Sequence, residues 1–350
     1  GINVQDLKKL IDVEIRDGFI KFHKDKYFLP NQSTRLSLYR HLDKKTKSYY
    51  HNSYAYGLKE IYKHDKSKLS EIAEHFIKEG NIDQLIYFCE LAGDYLKENY
   101  ITNDAIRFFR NTIKYLTQEE QVKKLDIIIK VLETLYSTGR WDEFKNVYAD
   151  AELLARKLGD KESRAKIYNL DGSVCFFRGD IEKAMKYFRR AEYLMLDNIT
   201  SETYADTMRF LGRSYLQMGK LLKAVQFFKM TLYLGERINN KEIKAKALEN
   251  LGRVYRLMSQ YDFSLNYYNQ SLAIYKNITN TAGVARTLEK IGVVNFYINN
   301  YDKALTFIKQ SNRINVQLDN KLSICNNYGN IGSIYFKLNR LSQAKYNFQK

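Results

Sequence analysis

The sequence predicts an all-α protein: a solenoid of stacked helical hairpins, with a small β-hairpin near the N-terminus. Three observations lead there. A pattern of glycine, small and bulky residues recurs every 40 residues through the C-terminal half. Within each copy the apolar positions fall three and four apart, the helical period. The chain also holds a single proline among 350 residues, Pro30, so long helices can run without interruption.

The copies are marked by Gly172, Gly212, Gly252, Gly292 and Gly332. Twelve residues after each stands a small residue (Ala184, Ala224, Ser264, Ala304, Ala344), and four further on a bulky one (Phe188, Phe228, Tyr268, Ile308, Phe348). Small residues on two successive helices let their backbones approach closely, and the bulky side chain fills the space beside them. Gly179, Gly219, Ser259, Asn299 and Asn339 fall where each hairpin should turn. These residues end helices or tolerate left-handed backbone. A lone hairpin cannot bury its apolar face, so stacking must supply the core. Fainter copies lie upstream. Gly139, Phe144, Tyr148 and Ala151 precede Gly179, Ala184, Phe188 and Ala191 by one period, and Gly93, Ala105 and Phe109 keep the internal spacing. Residues 68–96 form one more irregular hairpin. The expected array spans 68–350, irregular over 68–160 and regular over 161–350.

The first residues are of a different kind. Positions 5–16 have helical spacing, and "GFIKFH" and "KYFLP" read as two short strands around a Lys-Asp turn. Residues 1–32 are thus expected to be a partial winged-helix-like segment closed by Pro30, and residues 33–67 a tyrosine-rich helical linker.

The bulk composition narrows the function. Apolar content is 45% and charged content 28%, an ordinary globular balance. No apolar run reaches 18 residues, so no membrane span is expected, and "GINVQDLKKL" has none of the parts of a signal peptide. Cys89, Cys175 and Cys325 are scattered and odd in number, which fits a reducing, cytoplasmic setting better than a disulfide framework. The five histidines lie within the first 75 residues at no metal-ligand spacing, so no metal is expected. No phosphate-binding loop, nucleophile elbow or kinase signature occurs. Pairs such as Asp83 with Glu90 are expected to be solvated helix charges. The chain is therefore expected to be non-enzymatic, with no catalytic residue and no cofactor. The net charge of +17 admits an acidic protein, an acidic lipid or nucleic acid as partner.

The Leu/Ile-Gly pairs (Leu211-Gly212, Leu251-Gly252, Ile291-Gly292, Ile331-Gly332), the following Tyr215, Tyr255 and Tyr335, and the later small and aromatic positions resemble the tetratricopeptide repeat family. The period is 40 rather than about 34 residues, similar to the repeats of kinesin light chain and of the mitotic-spindle adaptor LGN. The extra residues are expected to lengthen the helix ahead of each pair. The resemblance implies a right-handed superhelix whose first helices line a concave wall. "SLYRHL" (37–42) and "EIAEHFIKEGN" (71–81), after a winged-helix remnant, are similar to the linker of STAND-type signalling ATPases. That implies an ATPase upstream. It also implies a chain that begins inside a winged helix and stops inside a repeat, where an uncapped end invites further repeats or self-association.

Counting from the signature glycines, the resemblance places Asn169, Arg209, Arg213, Lys246, Asn250, Arg253, Arg256, Arg286, Lys290 and Asn330 on the inner wall. An Asn just before the Leu/Ile-Gly pair, as at Asn250 and Asn330, is implied to hydrogen-bond the backbone of an extended peptide, its amide both donating and accepting. Arginine forks match carboxylates and phosphates. The expected role is a protein-interaction or ligand-sensing module for an extended acidic peptide or protein segment. Acidic neighbours such as Glu249 and Glu289 would counter this by neutralising the wall. The alternatives are a peptide-pheromone-responsive transcriptional regulator and direct nucleic-acid binding through the basic surface.

Overall fold

The computed structural model describes residues 21–23, 26–28 and 32–350. The helix expected over 5–16 lies outside them. The chain divides into two compact units, residues 1–134 and 135–350. Among the described residues, no helix is long and apolar enough to cross a membrane.

In the first unit, β1 (Lys21–His23) and β2 (Lys26–Phe28) pair antiparallel with Phe22 opposite Tyr27, where the sequence placed two strands. Five helices follow: α1 (Gln32–His41), α2 (Lys44–Ile61), α3 (Leu69–Glu79), α4 (Ile82–Glu98) and α5 (Thr102–Tyr115). The division falls near the end of a sixth, α6 (Gln121–Ser137). Asp43 and Asn81 cap α2 and α4 by accepting from Thr46 N and Gln84 N, each satisfying an amide the helix leaves open. Gly80, at φ +91°, turns α3 into α4. Phe76 stacks on Phe88 with ring centres 5.2 Å apart.

This unit also joins two histidines. His51 Nδ1 and His75 Nδ1 are 2.7 Å apart, and the Tyr39 hydroxyl lies 2.9 Å from His51 Nε2. One Nδ1 must donate and the other accept, so two imidazolium rings cannot share this contact. Burial lowers both pKa values. His75 and Lys78 reinforce the effect on His51, and Lys78 does so on His75 against Glu71 and Glu74.

The second unit continues with α7 (Trp141–Lys157) and five hairpins: α8 (Lys161–Phe177) with α9 (Ile181–Leu194), α10 (Glu202–Gln217) with α11 (Leu221–Arg237), α12 (Lys241–Leu257) with α13 (Tyr261–Asn277), α14 (Thr281–Tyr297) with α15 (Tyr301–Gln317), and α16 (Lys321–Lys337) with α17 (Leu341–Phe348). From α12 to α15 each helix has 17 residues and each link three. The residues beyond the common period therefore lengthen both helices of a pair, not only the first as the sequence suggested.

The expected turn residues Gly179, Gly219, Ser259, Asn299 and Asn339 all have positive φ. A second series, at Gly159, Asn239, Thr279 and Asp319, closes the links between pairs in the same way. The bonds are those of a Schellman motif: Gly179 N donates to Phe176 O and Asp180 N to Cys175 O. Each first helix then opens on a capping side chain: Asp160, Ser201, Asn240, Asn280 and Asn320. Two-residue signals of this kind, left-handed and then capping, explain why the links are so short.

The signature glycines are seats for the bulky residue of the following helix. A Cβ on Gly172 would stand 2.6 Å from the Phe188 ring, and one on Gly212 2.6 Å from Phe228. Gly252 faces Tyr268 at 2.9 Å, Gly292 faces Ile308 at 2.5 Å and Gly332 faces Phe348 at 2.7 Å. In the first unit Gly93 faces Phe109 at 2.5 Å.

Two predictions follow from these contacts. Gly212→Ala should destabilise by about 1–3 kcal/mol, the range for overpacking a filled core. Gly329→Ala in α16, where an added Cβ meets nothing within 4 Å, should be neutral or stabilise by up to about 1 kcal/mol through helix propensity. Urea midpoints of the two variants check both. The histidine pair is neutral when folded, with pKa values below the ordinary value of about 6.5, so the unfolded chain takes up protons first. Stability should be fully present above about pH 6.5 and fall as pH drops through the lowered values. A thermal scan from pH 7.5 to 5 should show that slope, and the H51Q/H75Q double variant should lose most of it.

Candidate functional site

Four first helices of the second unit, α8, α10, α12 and α14, wall a cleft of about 680 Å³. Phe177 comes from α8 and Arg209 and Arg213 from α10. Lys246, Glu249, Asn250, Arg253 and Arg256 come from α12, and Arg286, Lys290 and Val293 from α14. Tyr268, from the second helix α13, adds its hydroxyl. Seven of these twelve lining residues are cations and one is an acid.

Position along each helix explains the selection. The lining residues fall six, three and two places before the signature glycine, and one and four after it. That is one helical stripe, centred about a quarter-turn round the helix from the glycine seat. Phe177 sits one place further, at the end of α8.

Four of the cations are matched by carboxylates. Arg209 pairs with Asp206 at 2.8 Å and Lys246 with Glu242 at 2.7 Å. Arg286 Nε donates to both oxygens of Glu249, at 2.8 and 3.0 Å, and its Nη2 to the Tyr275 hydroxyl at 3.1 Å. Burial opposes the Arg286 charge, but Glu249 and Tyr275 outweigh it and raise the pKa. Lys290 lies 3.4 Å from Glu289. The neutralising acids foreseen from the sequence are therefore present, and they account for part of the wall.

Arg213, Arg253 and Arg256 have no carboxylate partner among the described residues. Two of them rest on aromatic faces: Arg213 on Phe176 at 4.8 Å and Phe177 at 5.8 Å, and Arg256 on Tyr297 at 5.4 Å. Burial lowers the Arg213 pKa, and the charges of Arg209 and Arg253 lower it further. Arg256 Nε and the Tyr268 hydroxyl are both buried and make no well-formed hydrogen bond. They face each other closely enough for Arg256 to act on the phenol by its charge and by a weak hydrogen bond. Burial pushes the Tyr268 phenol up, against the pull of Arg256 and Arg253.

Eight of the ten residues named from the sequence line this one cleft. Asn169 and Asn330 do not. Asn169 is 5% exposed and donates from Nδ2 to Thr207 Oγ1 at 2.8 Å, tying α8 to α10. Asn330 Nδ2 reaches Glu289 at 3.4 Å, tying α16 to α14. Asn250 is in the lining, and its Nδ2 donates to the Lys246 carbonyl of its own helix at 2.7 Å. Sequence reasoning did not name Phe177, Tyr268, Glu249 or Val293 as lining. Glu249 and Val293 stand at stripe positions already counted for other repeats, so the register alone had the signal.

Residues 165–194 and 203–277 match the tetratricopeptide repeat family. No curated protein matches the chain. Several solved structures share the fold. The Rap conjugation gene regulator of plasmid pLS20, in complex with the Phr* peptide, is 18% identical, with TM-score 0.63 over 81% of this chain and 74% of its own. A STAND protein with a tetratricopeptide repeat sensor, from Pyrococcus horikoshii, is 14% identical, with TM-score 0.54. The match covers all of this chain but only 58% of that one. BtubC from P. vanneervenii is 18% identical, with TM-score 0.51 over 63% of this chain and 91% of its own. At such identities the likeness is one of fold.

The orphaned hydroxyl gives a direct test of the geometry. Tyr268→Phe keeps the ring on Gly252 and removes a buried polar atom without a well-formed hydrogen bond. Stability should hold or rise by up to about 1 kcal/mol. A lower urea midpoint would mean that the hydroxyl is bonded after all.

Proposed function

We propose that this array binds an extended acidic peptide or protein segment in the cleft formed by α8, α10, α12 and α14. The observation that carries the proposal is the imbalance of the wall: three arginines are left without carboxylates on a surface that already supplies acids to four other cations. A partner bringing its own negative charge relieves that imbalance, and the excess field steers it inward. Asn250 stands among the arginines, where its amide can meet a peptide backbone once released from Lys246. The peptide complex of the Rap regulator supports peptide as the ligand class on this fold.

The array also suits the C-terminal sensor arm of a larger ATPase. The β-hairpin and helices ahead of the repeats, and the fold shared with the Pyrococcus horikoshii STAND protein, support that context. The second reading, a peptide-responsive transcriptional regulator, draws on the Rap likeness. It needs a DNA-binding domain in the full-length protein.

Fluorescence anisotropy with a labelled Glu/Asp-rich decapeptide and its Gln/Asn counterpart tests the proposal. The acidic peptide should bind and weaken with salt, and the neutral one should not bind. Arg253→Ala and Arg256→Ala should each cost about 5- to 10-fold in affinity, about 1–1.4 kcal/mol. Lys229→Ala, on the exposed side of α11, should change little. A folded array that ignores the acidic peptide, or loses as much through Lys229 as through Arg253, would sink the proposal.

A further inference from the structure

We propose that the cleft holds a phosphoryl group on the bound segment, seated among Arg213, Arg253 and Arg256 with the Tyr268 hydroxyl as a further donor. This rests on the reading of the cleft as an acidic-segment site and narrows the ligand to a phosphopeptide.

The first argument is stoichiometric. Asp206, Glu242, Glu249 and Glu289 take Arg209, Lys246, Arg286 and Lys290, which leaves three guanidinium groups unmatched. A lone carboxylate brings one charge and two oxygens. A phosphoryl monoester brings about −1.5 to −2 charge at neutral pH and three acceptor oxygens, a closer match to three cations.

The second argument is how those arginines are held. Arg213 and Arg256 lie over the faces of Phe176, Phe177 and Tyr297. Stacking fixes the plane of a guanidinium and leaves its edge donors for a forked contact. Arg213 is buried beside two like charges, Arg209 and Arg253, which oppose its protonated form. An anion at this point removes that repulsion.

The Tyr268 side chain is fully buried (0% exposed), yet it lines the cleft with a hydroxyl that makes no well-formed hydrogen bond. The group facing it is Arg256 Nε, which also lacks an acceptor of good geometry, and even where the Tyr268 oxygen accepts from Arg256 its own O–H is left to donate. Buried donors cost stability unless something accepts from them. Two beside one cation cluster mark the seat of a compact oxyanion. Glu249, held on Arg286 in the same wall, discourages a second anion, so one phosphoryl group is expected per array.

Three labelled decapeptides, alike except for a central phosphoserine, glutamate or serine among acidic residues, test this by anisotropy, with inorganic phosphate as competitor. The phosphoserine peptide should bind about tenfold or more tighter than the glutamate peptide, as charge-assisted forked contacts allow, and phosphate should displace it. Tyr268→Phe should reduce that preference about threefold or more. Arg253→Lys, which keeps the charge but loses the fork, should also narrow the gap. Equal affinity for the phosphoserine and glutamate peptides would overturn the phosphoryl seat and leave the acidic groove standing. Binding of none of the three would overturn both. Tight binding of inorganic phosphate with no gain for the phosphoserine peptide would overturn the peptide as its source.

Discussion

Where Phe188, Phe228 or Phe348 lies against a glycine on the helix before it, the gap is too small for a single Cβ. That contact sets how closely the two helices of a hairpin approach and how each is rotated about its own axis. Rotation is the consequential part. Once Gly212, Gly252 and Gly292 face the following helix, residues one place after them must face elsewhere, together with those a helical turn on either side. Arg213, Arg253 and Val293 stand one place after; Arg209 and Glu249 stand three before; Lys246 and Arg286 stand six before. The seat on one face of each first helix thereby aims the charged stripe on the face about a quarter-turn away. A left-handed residue in every link, joined between pairs by a capping side chain, keeps each link at three residues, so the rotation repeats from α12 to α15.

A stripe repeated this way brings like charges together unless something separates them. Bonds between successive first helices do part of that work. Thr203 donates to Glu162, Asn240 to Glu202, Arg286 to Glu249 and Asn330 to Glu289. This polar ladder ties each repeat to the next, and at Arg286 it also neutralises a cation. It has no acid to offer Arg213, Arg253 or Arg256. Aromatic faces hold two of these in place of carboxylates, so the wall is rigid there without being neutral.

The helical class, the hairpins and the glycine seats were legible because each is a local pattern repeated in phase, and repetition separates signal from coincidence. The second series of turns was not. Thr279, being β-branched, is a poor left-handed residue taken alone, and the capping Asn280 and Asn320 carry the clearer signal. The inner stripe was legible from the register, but the partners of each side chain were not. Asn169 and Asn330 occupy stripe positions and bond to the neighbouring repeat, because Thr207 and Glu289 happen to face them. Whether an asparagine meets a peptide or a threonine depends on the residue some 40 places away, which no single-repeat pattern contains.

Tyr268 shows how one residue serves both packing and site. Its equivalents are Phe188, Phe228, Ile308 and Phe348, none of which carries a polar atom, so the seat requires bulk and not a hydroxyl. The third repeat also departs in two other ways. A Cβ on Gly252 would stand 2.9 Å from the ring, against 2.5 to 2.7 Å at the other seats, and the small residue beneath is Ser264, whose hydroxyl donates to the Gly252 carbonyl at 2.8 Å. The ring is fully buried, and its hydroxyl ends beside Arg256 rather than in apolar core. An anion accepting from Tyr268 would therefore touch the α12–α13 packing as well as the wall. Ligand binding in this cleft should tighten the hairpin that forms it, because the same ring holds the seat and donates to the ligand.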